Sequence, residues 1–462
     1  MLKKIINYIP GVAIPLIINF VLTMLYAAYL SPAEYGLLNI YLNTIQIVYS
    51  LTLSIFQTAA LRFYTSKEYS TEEEYISSYI FANLFATILC AFPCGILSLF
   101  VKFNWGIILL SVGTNGLFLF ISNLHRVQFN SGRYNKMRVY AAGAALILLV
   151  LFSYIIRPLS FIWPLICVYG TYGFISIVEI VKLRKKISIT HISKRLLIKS
   201  IEYGVPLIGV ALLGNIISSS DQYFLLYFLD KKAVGNYALG YRLVDAILNN
   251  LLMVILLVMT PELNAVHDRS GEEESKVVLK KMINSAVWIM LPFTLAIIAY
   301  AKYIIMFFFP KYTDAVIIMS LVVFASVFNG LSMFTCKALE LVKKPKYILY
   351  SLIIASIINC GYNAIFIKIY GVTASAHSSI ISYIVYNILL VYYSRRYYDL
   401  QLDFKYILKT VLATGITFLL ATLLMNTWGI TNLMIFIIQF FVAVIVYLVC
   451  SVILRLFEPF FN

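Results

Sequence analysis

The chain has 462 residues, 62% of them hydrophobic and 12% charged, with a mean hydropathy of +0.90 and a net charge of +16. Soluble domains carry about 25% charged residues, so half that share cannot cover a water-facing surface and the solvent is a bilayer. A soluble enzyme and a nucleic-acid-binding domain are both excluded, and the class is an all-α polytopic membrane protein. Membrane strands do not fit, because the apolar runs lack period-two alternation and are about twice a barrel strand's length.

Apolar runs near the ~20 residues that cross a bilayer recur along the chain and predict fourteen transmembrane helices. They fall at about 7–30, 37–62, 76–101, 105–123, 139–156, 160–181, 204–229, 236–259, 282–301, 314–335, 348–367, 373–393, 406–426 and 431–454. The first run begins "MLKKIINYIPGVAIPL". It is too long for a signal-peptide core and lacks an A-x-A site, so it reads as a span. Lys and Arg alternate in density from loop to loop. The N-terminus, every second loop and the tail hold 28 of the 36. The opposite loops hold only Lys102, Arg157, Lys231, Lys232, Lys302, Lys311 and Lys368, and Arg242 lies within a span. This bias predicts cytoplasmic N- and C-termini and makes the net charge a topology signal, not a nucleic-acid footprint. The basic stretch "KLRKKISITHISKR" reads as a solvated cytoplasmic linker that touches anionic headgroups. All six cysteines sit in or beside apolar runs without a C-x-x-C pair, so they read as packing residues, and no metal or cofactor is expected.

The punctuation of the chain repeats at an offset of about 200 residues. Pro15-Leu16 matches Pro206-Leu207, Gly36 matches Gly235, and Glu72, Glu73 and Glu74 match Glu272, Glu273 and Glu274. An offset of six spans keeps orientation, which predicts two six-helix lobes related as parallel repeats. The expected organisation is a lobe over 1–181, a cytoplasmic linker over 182–203, a second lobe over 204–393, and two additional helices over 406–454.

A charge inside a membrane span costs about 2.5–3.5 kcal/mol on insertion scales, so each needs a partner or an aqueous cavity. At ~1.5 Å per residue, Asp221, Arg242 and Asp245 lie at similar depth on two consecutive antiparallel spans. Gly214, Ser218 and Asp221 share one helix face; Arg242, Asp245 and Asn249 share another. Two readings fit: a structural ion pair between Asp221 and Arg242, or a wet central cavity in which a carboxylate titrates or binds a cation. Span 2 carries a polar stripe of Asn39, Asn43, Gln46, Ser50, Ser54 and Gln57, which must face protein or water. Arg62 closes that span, either as a snorkelling positive-inside residue or as a phosphate contact. Glu179 is expected to pair with Lys182 or to sit in headgroup water. His377 reads as a packing histidine, and most of the 35 tyrosines as an interfacial belt.

"LSPAEYGLLNIY", "AALRFY", "YGVPL", "SSSDQYFL" and "VGNYALGYRL" resemble the polysaccharide-transporter branch of the multidrug/oligosaccharidyl-lipid/polysaccharide exporter superfamily. In hydropathy and span number the resemblance covers the whole chain; at motif level it covers about 11–75 and 200–265. It implies a flippase that moves undecaprenyl-diphosphate-linked oligosaccharide, such as an O-antigen repeat unit, to the outer leaflet of the bacterial inner membrane. Arg242, with Arg62, Asn43, Gln46 and Asn249, would then meet the diphosphate or line the cavity, and Asp221 and Asp245 would couple transport to H+ or Na+. The partners implied are the polyprenyl-linked glycan, the bilayer and other polysaccharide-assembly membrane proteins, with the chain acting as a monomer. Gln222 departs from the motif, where a basic residue commonly follows the aspartate. A drug/cation antiporter of the same superfamily is the alternative. An integral-membrane glycan polymerase or glycosyltransferase fits less well, because the short loops leave no room for a catalytic domain. No phosphate-binding G-x-x-x-x-G-K-[ST] motif is present, so energy must come from a gradient or from the glycan concentration itself.

Overall fold

The computed structural model describes residues 8, 10–64, 71–98, 103–401 and 403–457, the side chains of 206, 207 and 210 excepted. Lys3, Lys4, Lys67 and Lys102 of the charge pattern, and the Pro206-Leu207 side chains of the repeat, lie outside them. All regular structure among the described residues is helical. The helices are α1 (Pro10–Tyr29), α2 (Pro32–Thr52), α3 (Ser54–Phe63), α4 (Glu72–Leu89), α5 (Ala91–Ser98), α6 (Trp105–Val127), α7 (Ser131–Ile155) and α8 (Ile162–Leu183). They continue as α9 (Lys194–Phe228), α10 (Lys231–Ser270), α11 (Glu272–Phe308), α12 (Ala315–Leu341), α13 (Pro345–Tyr370), α14 (Val372–Ser394), α15 (Phe404–Trp428) and α16 (Leu433–Ile453).

Twelve spans among the described residues are long and apolar enough to cross a bilayer, one of them formed by α4 with α5. A thirteenth is the pair α2 and α3, which bends by 52°. The expected seventh span lies within α9, which contains the three residues whose side chains are not described. The chain is thus an all-helical, multi-pass membrane protein of the expected size.

Local chemistry sets the helix ends. Ser31 caps α2 ahead of Pro32 at its first turn. Thr71 and Glu74 form a reciprocal capping box on α4, so the first acidic cluster serves as a helix start. Its counterpart, Glu272 to Glu274, occupies the first turn of α11, where carboxylates oppose the positive end of the helix dipole. The break between α2 and α3 has no proline. Thr52 Oγ1 donates to the Val48 carbonyl at 2.7 Å, Ser54 Oγ to that of Ser50 at 2.6 Å, and Thr58 Oγ1 to that of Ser54 at 2.8 Å. Such back-bonding competes with the backbone ladder and bends helices. The linker expected over 182–203 is shorter than the sequence suggests. It consists of two 3-10 turns, Arg184–Lys186 and Ile189–His191, and its second half belongs to α9.

The chain divides into two compact units, Met1–Ile216 and Ile217–Asn462, with the boundary inside α9. In the first unit α6 packs on α2, α3, α4 and α8, α7 packs on α8, and α1 packs on α7. In the second, α12 packs on α10, α11 and α14, α13 packs on α14, α15 packs on α11, and α16 packs on α15. There Trp288 Nε1 donates to Ser451 Oγ at 3.1 Å, and Tyr447 Oη donates to the Trp288 carbonyl at 2.7 Å.

Candidate functional site

Asp221 sits on α9 with 1% of its surface exposed. An ionised carboxylate offers about four lone-pair positions and no donor, and four donors meet it. Tyr237 Oη of α10 and Ser379 Oγ of α14 donate to Oδ2 at 2.5 and 2.6 Å. Asn363 Nδ2 of α13 and Ser378 Oγ of α14 donate to Oδ1 at 2.6 and 3.2 Å. These partners are themselves buried and held: Ser375 Oγ donates to Asn363 Oδ1 at 3.0 Å, and Ser220 Oγ donates to Asn359 Oδ1 at 2.7 Å.

Helical spacing produces this cage. Asn359 and Asn363 lie at i,i+4 on α13, and Ser375, Ser378, Ser379 and Ser382 recur at i,i+3 and i,i+4 on α14. Gly371, in the left-handed region at φ 63°, joins the two helices in a tight turn. That turn holds the helices antiparallel and in contact, so the asparagine face of one meets the serine face of the other. With an ionised carboxyl each of these bonds is charge-assisted and worth about 1.5–3 kcal/mol, and four such bonds would offset the several kcal/mol that burying an ion costs.

The expected ion pair between Asp221 and Arg242 is corrected by this geometry. Asp221 is satisfied by neutral donors from α10, α13 and α14. Arg242 is half-buried one turn beyond Tyr237 and enters no ion pair among the described residues. Its nearest carboxylate influence is Asp245, three residues on along the same helix. Asp245 Oδ1 accepts from Asn249 Nδ2, and Asn249 Oδ1 is buried without a partner. The structure therefore brings Arg242, Asp245 and Asn249 together on α10 and places Asp221 in a separate cage.

In the first unit the polar stripe of α2 and α3 splits in two. Gln57 Nε2 donates to the Gly116 carbonyl at 2.8 Å, and Ser50 Oγ accepts from Asn215 Nδ2 at 3.0 Å. These two hold helices together. Asn43 has a buried Nδ2 without a partner, Gln46 is exposed, and Arg62 is exposed on the last turn of α3. Glu179 pairs with Lys182 at 2.6 Å, one of the two outcomes expected for it, and its other oxygen meets His125 Nε2 at 3.3 Å. His377 is half-buried and is not a partner of Asp221. Sequence reasoning missed Tyr237, Asn359, Asn363, Ser375, Ser378 and Ser379. The available signal was two runs of small polar residues at helical spacing in otherwise apolar spans.

A family model described as "Polysaccharide biosynthesis protein" matches residues 25–317. No curated protein matches the chain by sequence. Among solved structures, the lipid II flippase MurJ in an inward closed conformation superposes with a TM-score of 0.75 at 18% identity, covering 100% of both chains. A multidrug resistance MATE family transporter in an inward-facing conformation gives 0.60 at 13% identity, covering 84% of this chain and 97% of its own. A mutant of the Vibrio cholerae MATE transporter VcmN gives 0.57 at 14%, covering 86% and 95%. At these identities the likeness is one of fold.

Proposed function

The chain belongs to the polysaccharide biosynthesis protein family, and from that premise we propose that it is a flippase for a lipid-linked oligosaccharide. The cargo is undecaprenyl-diphosphate-linked glycan, an O-antigen or related repeat unit. It is carried from the cytoplasmic to the outer leaflet of a bacterial inner membrane by alternating access, with both termini of the protein cytoplasmic. The observation that carries this reading is that a polysaccharide-biosynthesis chain is here built of membrane helices throughout its described residues. Its longest described connection, 184–193, is two 3-10 turns with short extended pieces. This favours movement of the lipid-linked intermediate as its part in glycan assembly over enzymatic work on it. Superposition with a flippase over the full length of both chains supports the same reading.

Arg242, with Asn249 beside it, is the proposed diphosphate contact, since a guanidinium matches phosphate oxygens in a bidentate fork. Asn43, Gln46 and Arg62 are the proposed cargo-facing groups of the first unit. Asp221 and Asp245 are the proposed ion-coupling carboxylates, because buried intramembrane carboxylates mark proton and cation pathways. Asp221 is the stronger candidate of the two. The hydroxyls of Tyr237, Ser378 and Ser379 around it can rotate to accept as well as donate, which suits a carboxyl that exchanges H+ or Na+, and no ion pair among the described residues competes for it. Drug/cation antiport remains the second reading, favoured by the fold shared with multidrug transporters. Vesicles loaded with the lipid-linked glycan distinguish the alternatives. A flippase moves the headgroup across with its mass unchanged, an enzyme changes the mass, and a drug antiporter leaves the glycan where it was.

A further inference from the structure

Between α7 and α8 the first unit carries an open trough of about 750 Å3, remote in the chain from Asp221, Arg242 and Asp245, with the Glu179–Lys182 ion pair at one end of its lining. Its walls are two helical stripes: Tyr140, Ala144 and Ile147 on α7, and Gly170, Phe174 and Val178 on α8. Tyr140, Ile147, Phe174 and Val178 are exposed, so the trough opens to the surroundings of the helices. Met137 and Thr171 belong to the buried part of its lining. A Cβ at Gly170 would meet nothing closer than 3.9 Å, and that atom belongs to Ile166 on the same helix.

Each stripe ends in cations, and both cationic ends coincide, because α7 begins where α8 ends. Arg133 and Lys136 lie two turns and one turn before Tyr140, and Lys182 lies one turn after Val178. Lys182 is paired with Glu179. Arg133 and Lys136 are exposed, and their side chains form no ion pair among the described residues. From Lys136 to Ile147 the trough runs roughly 17 Å at ~1.5 Å per residue, close to half of a ~30 Å hydrocarbon core. An apolar slot one leaflet long with unpaired cations at its mouth complements one molecule: a lipid with an anionic headgroup and acyl chains of ordinary length.

We infer that the α7–α8 trough is a binding site for an anionic glycerophospholipid, with its phosphate on Arg133 and Lys136 and an acyl chain along Tyr140, Ile147 and Phe174. By the charge bias of the loops the cationic mouth faces the cytoplasmic leaflet, where basic pockets between helices hold anionic headgroups. The length of the trough favours this occupant over a polyprenyl tail, which would extend well beyond one leaflet. The site is independent of the flippase proposal.

Full-length protein in neutral detergent, titrated with dioleoyl-phosphatidylglycerol or dioleoyl-phosphatidylcholine and read by native mass spectrometry, tests the inference. Wild-type protein should retain phosphatidylglycerol at least tenfold more tightly than phosphatidylcholine. Arg133→Gln and Lys136→Gln should each weaken that retention about fivefold. Ala144→Phe, which fills the trough and leaves the cations, should also abolish the preference. Equal retention of the two lipids by wild-type protein overturns the inference without reliance on any variant. Full retention by the double Arg133→Gln, Lys136→Gln variant overturns it as well. Displacement by glycerol phosphate as effective as by the intact lipid removes the acyl chain from the site. Displacement by polyprenyl phosphate at equal concentration replaces the phospholipid with a cargo-like lipid.

Discussion

Removing one donor from the Asp221 cage tells whether the carboxylate is ionised. Ser379→Ala deletes the 2.6 Å hydrogen bond to Oδ2 and leaves that oxygen with Tyr237 alone. If Asp221 carries a charge, the lost bond is charge-assisted and the variant is destabilised by about 1.5–3 kcal/mol. In an Asp221→Asn background the same deletion removes a neutral bond worth about 0.5–1.5 kcal/mol. The asparagine has one permitted orientation. Its oxygen must face Asn363 Nδ2, which can only donate, and its amide must face Ser379 and Tyr237, whose hydroxyls rotate to accept. The background is therefore foldable, and the cycle isolates the effect of charge. A coupling energy of about 1–1.5 kcal/mol between positions 221 and 379 is expected, measured from reversible unfolding of the four proteins in detergent micelles at neutral pH. A coupling near zero would refute an ionised Asp221 and with it the cation-binding form of the coupling proposal.

Arg242→Ala should abolish glycan export at unchanged protein level, and Arg242→Lys should keep part of it, measured by export in cells with membrane protein quantified. Loss of the protein itself would make the residue structural. Lys185→Cys, exposed in the 3-10 turn after α8, should resist an impermeant thiol reagent in intact cells and react in opened ones. Ready labelling of intact cells would invert the topology. Asp403 caps α15: the Tyr406 backbone N–H, followed by the Lys280 ammonium at 3.1 Å, holds its carboxyl below the usual carboxylate range. A group whose pKa is depressed on folding stabilises above its unfolded value, about 3.9, and loses that contribution as pH falls through the folded one. Asp403→Asn should therefore flatten the acid limb of the unfolding midpoint below about pH 4, and an unchanged limb would remove the cap from the account.

Much of the architecture was legible because membrane helices announce themselves by length and apolarity, and because the two acidic clusters mark real helix starts at Thr71 and Gly271. The Glu179–Lys182 pair was one of the two outcomes that the sequence left open for that carboxylate. The partners of Asp221 were harder. Depth along two helices put Arg242 level with Asp221, but depth says nothing about rotation, and rotation turned Tyr237 toward the carboxylate. Serines also tolerate an apolar helix by bonding to the backbone one turn back, as Ser378 and Ser382 do, so a serine run looks the same with or without a carboxylate to serve. The end of the linker was hidden for a related reason. Lys194, Arg195 and Lys199 read as a solvated charged loop, yet exposed Lys and Arg are good helix formers, and α9 begins among them.

The central claim is that the protein moves a lipid-linked glycan headgroup and draws on an ion gradient through Asp221. Proteoliposomes containing the purified protein and a polyprenyl-diphosphate oligosaccharide, with an imposed sodium or pH gradient, test it directly. A lectin outside the vesicle reports headgroup arrival, and mass spectrometry reports the intact lipid. The account predicts gradient-driven arrival with no change in mass, and arrival in Asp221→Asn that no longer responds to either gradient. Headgroup arrival at the rate of protein-free vesicles, or full gradient response in Asp221→Asn, would contradict it.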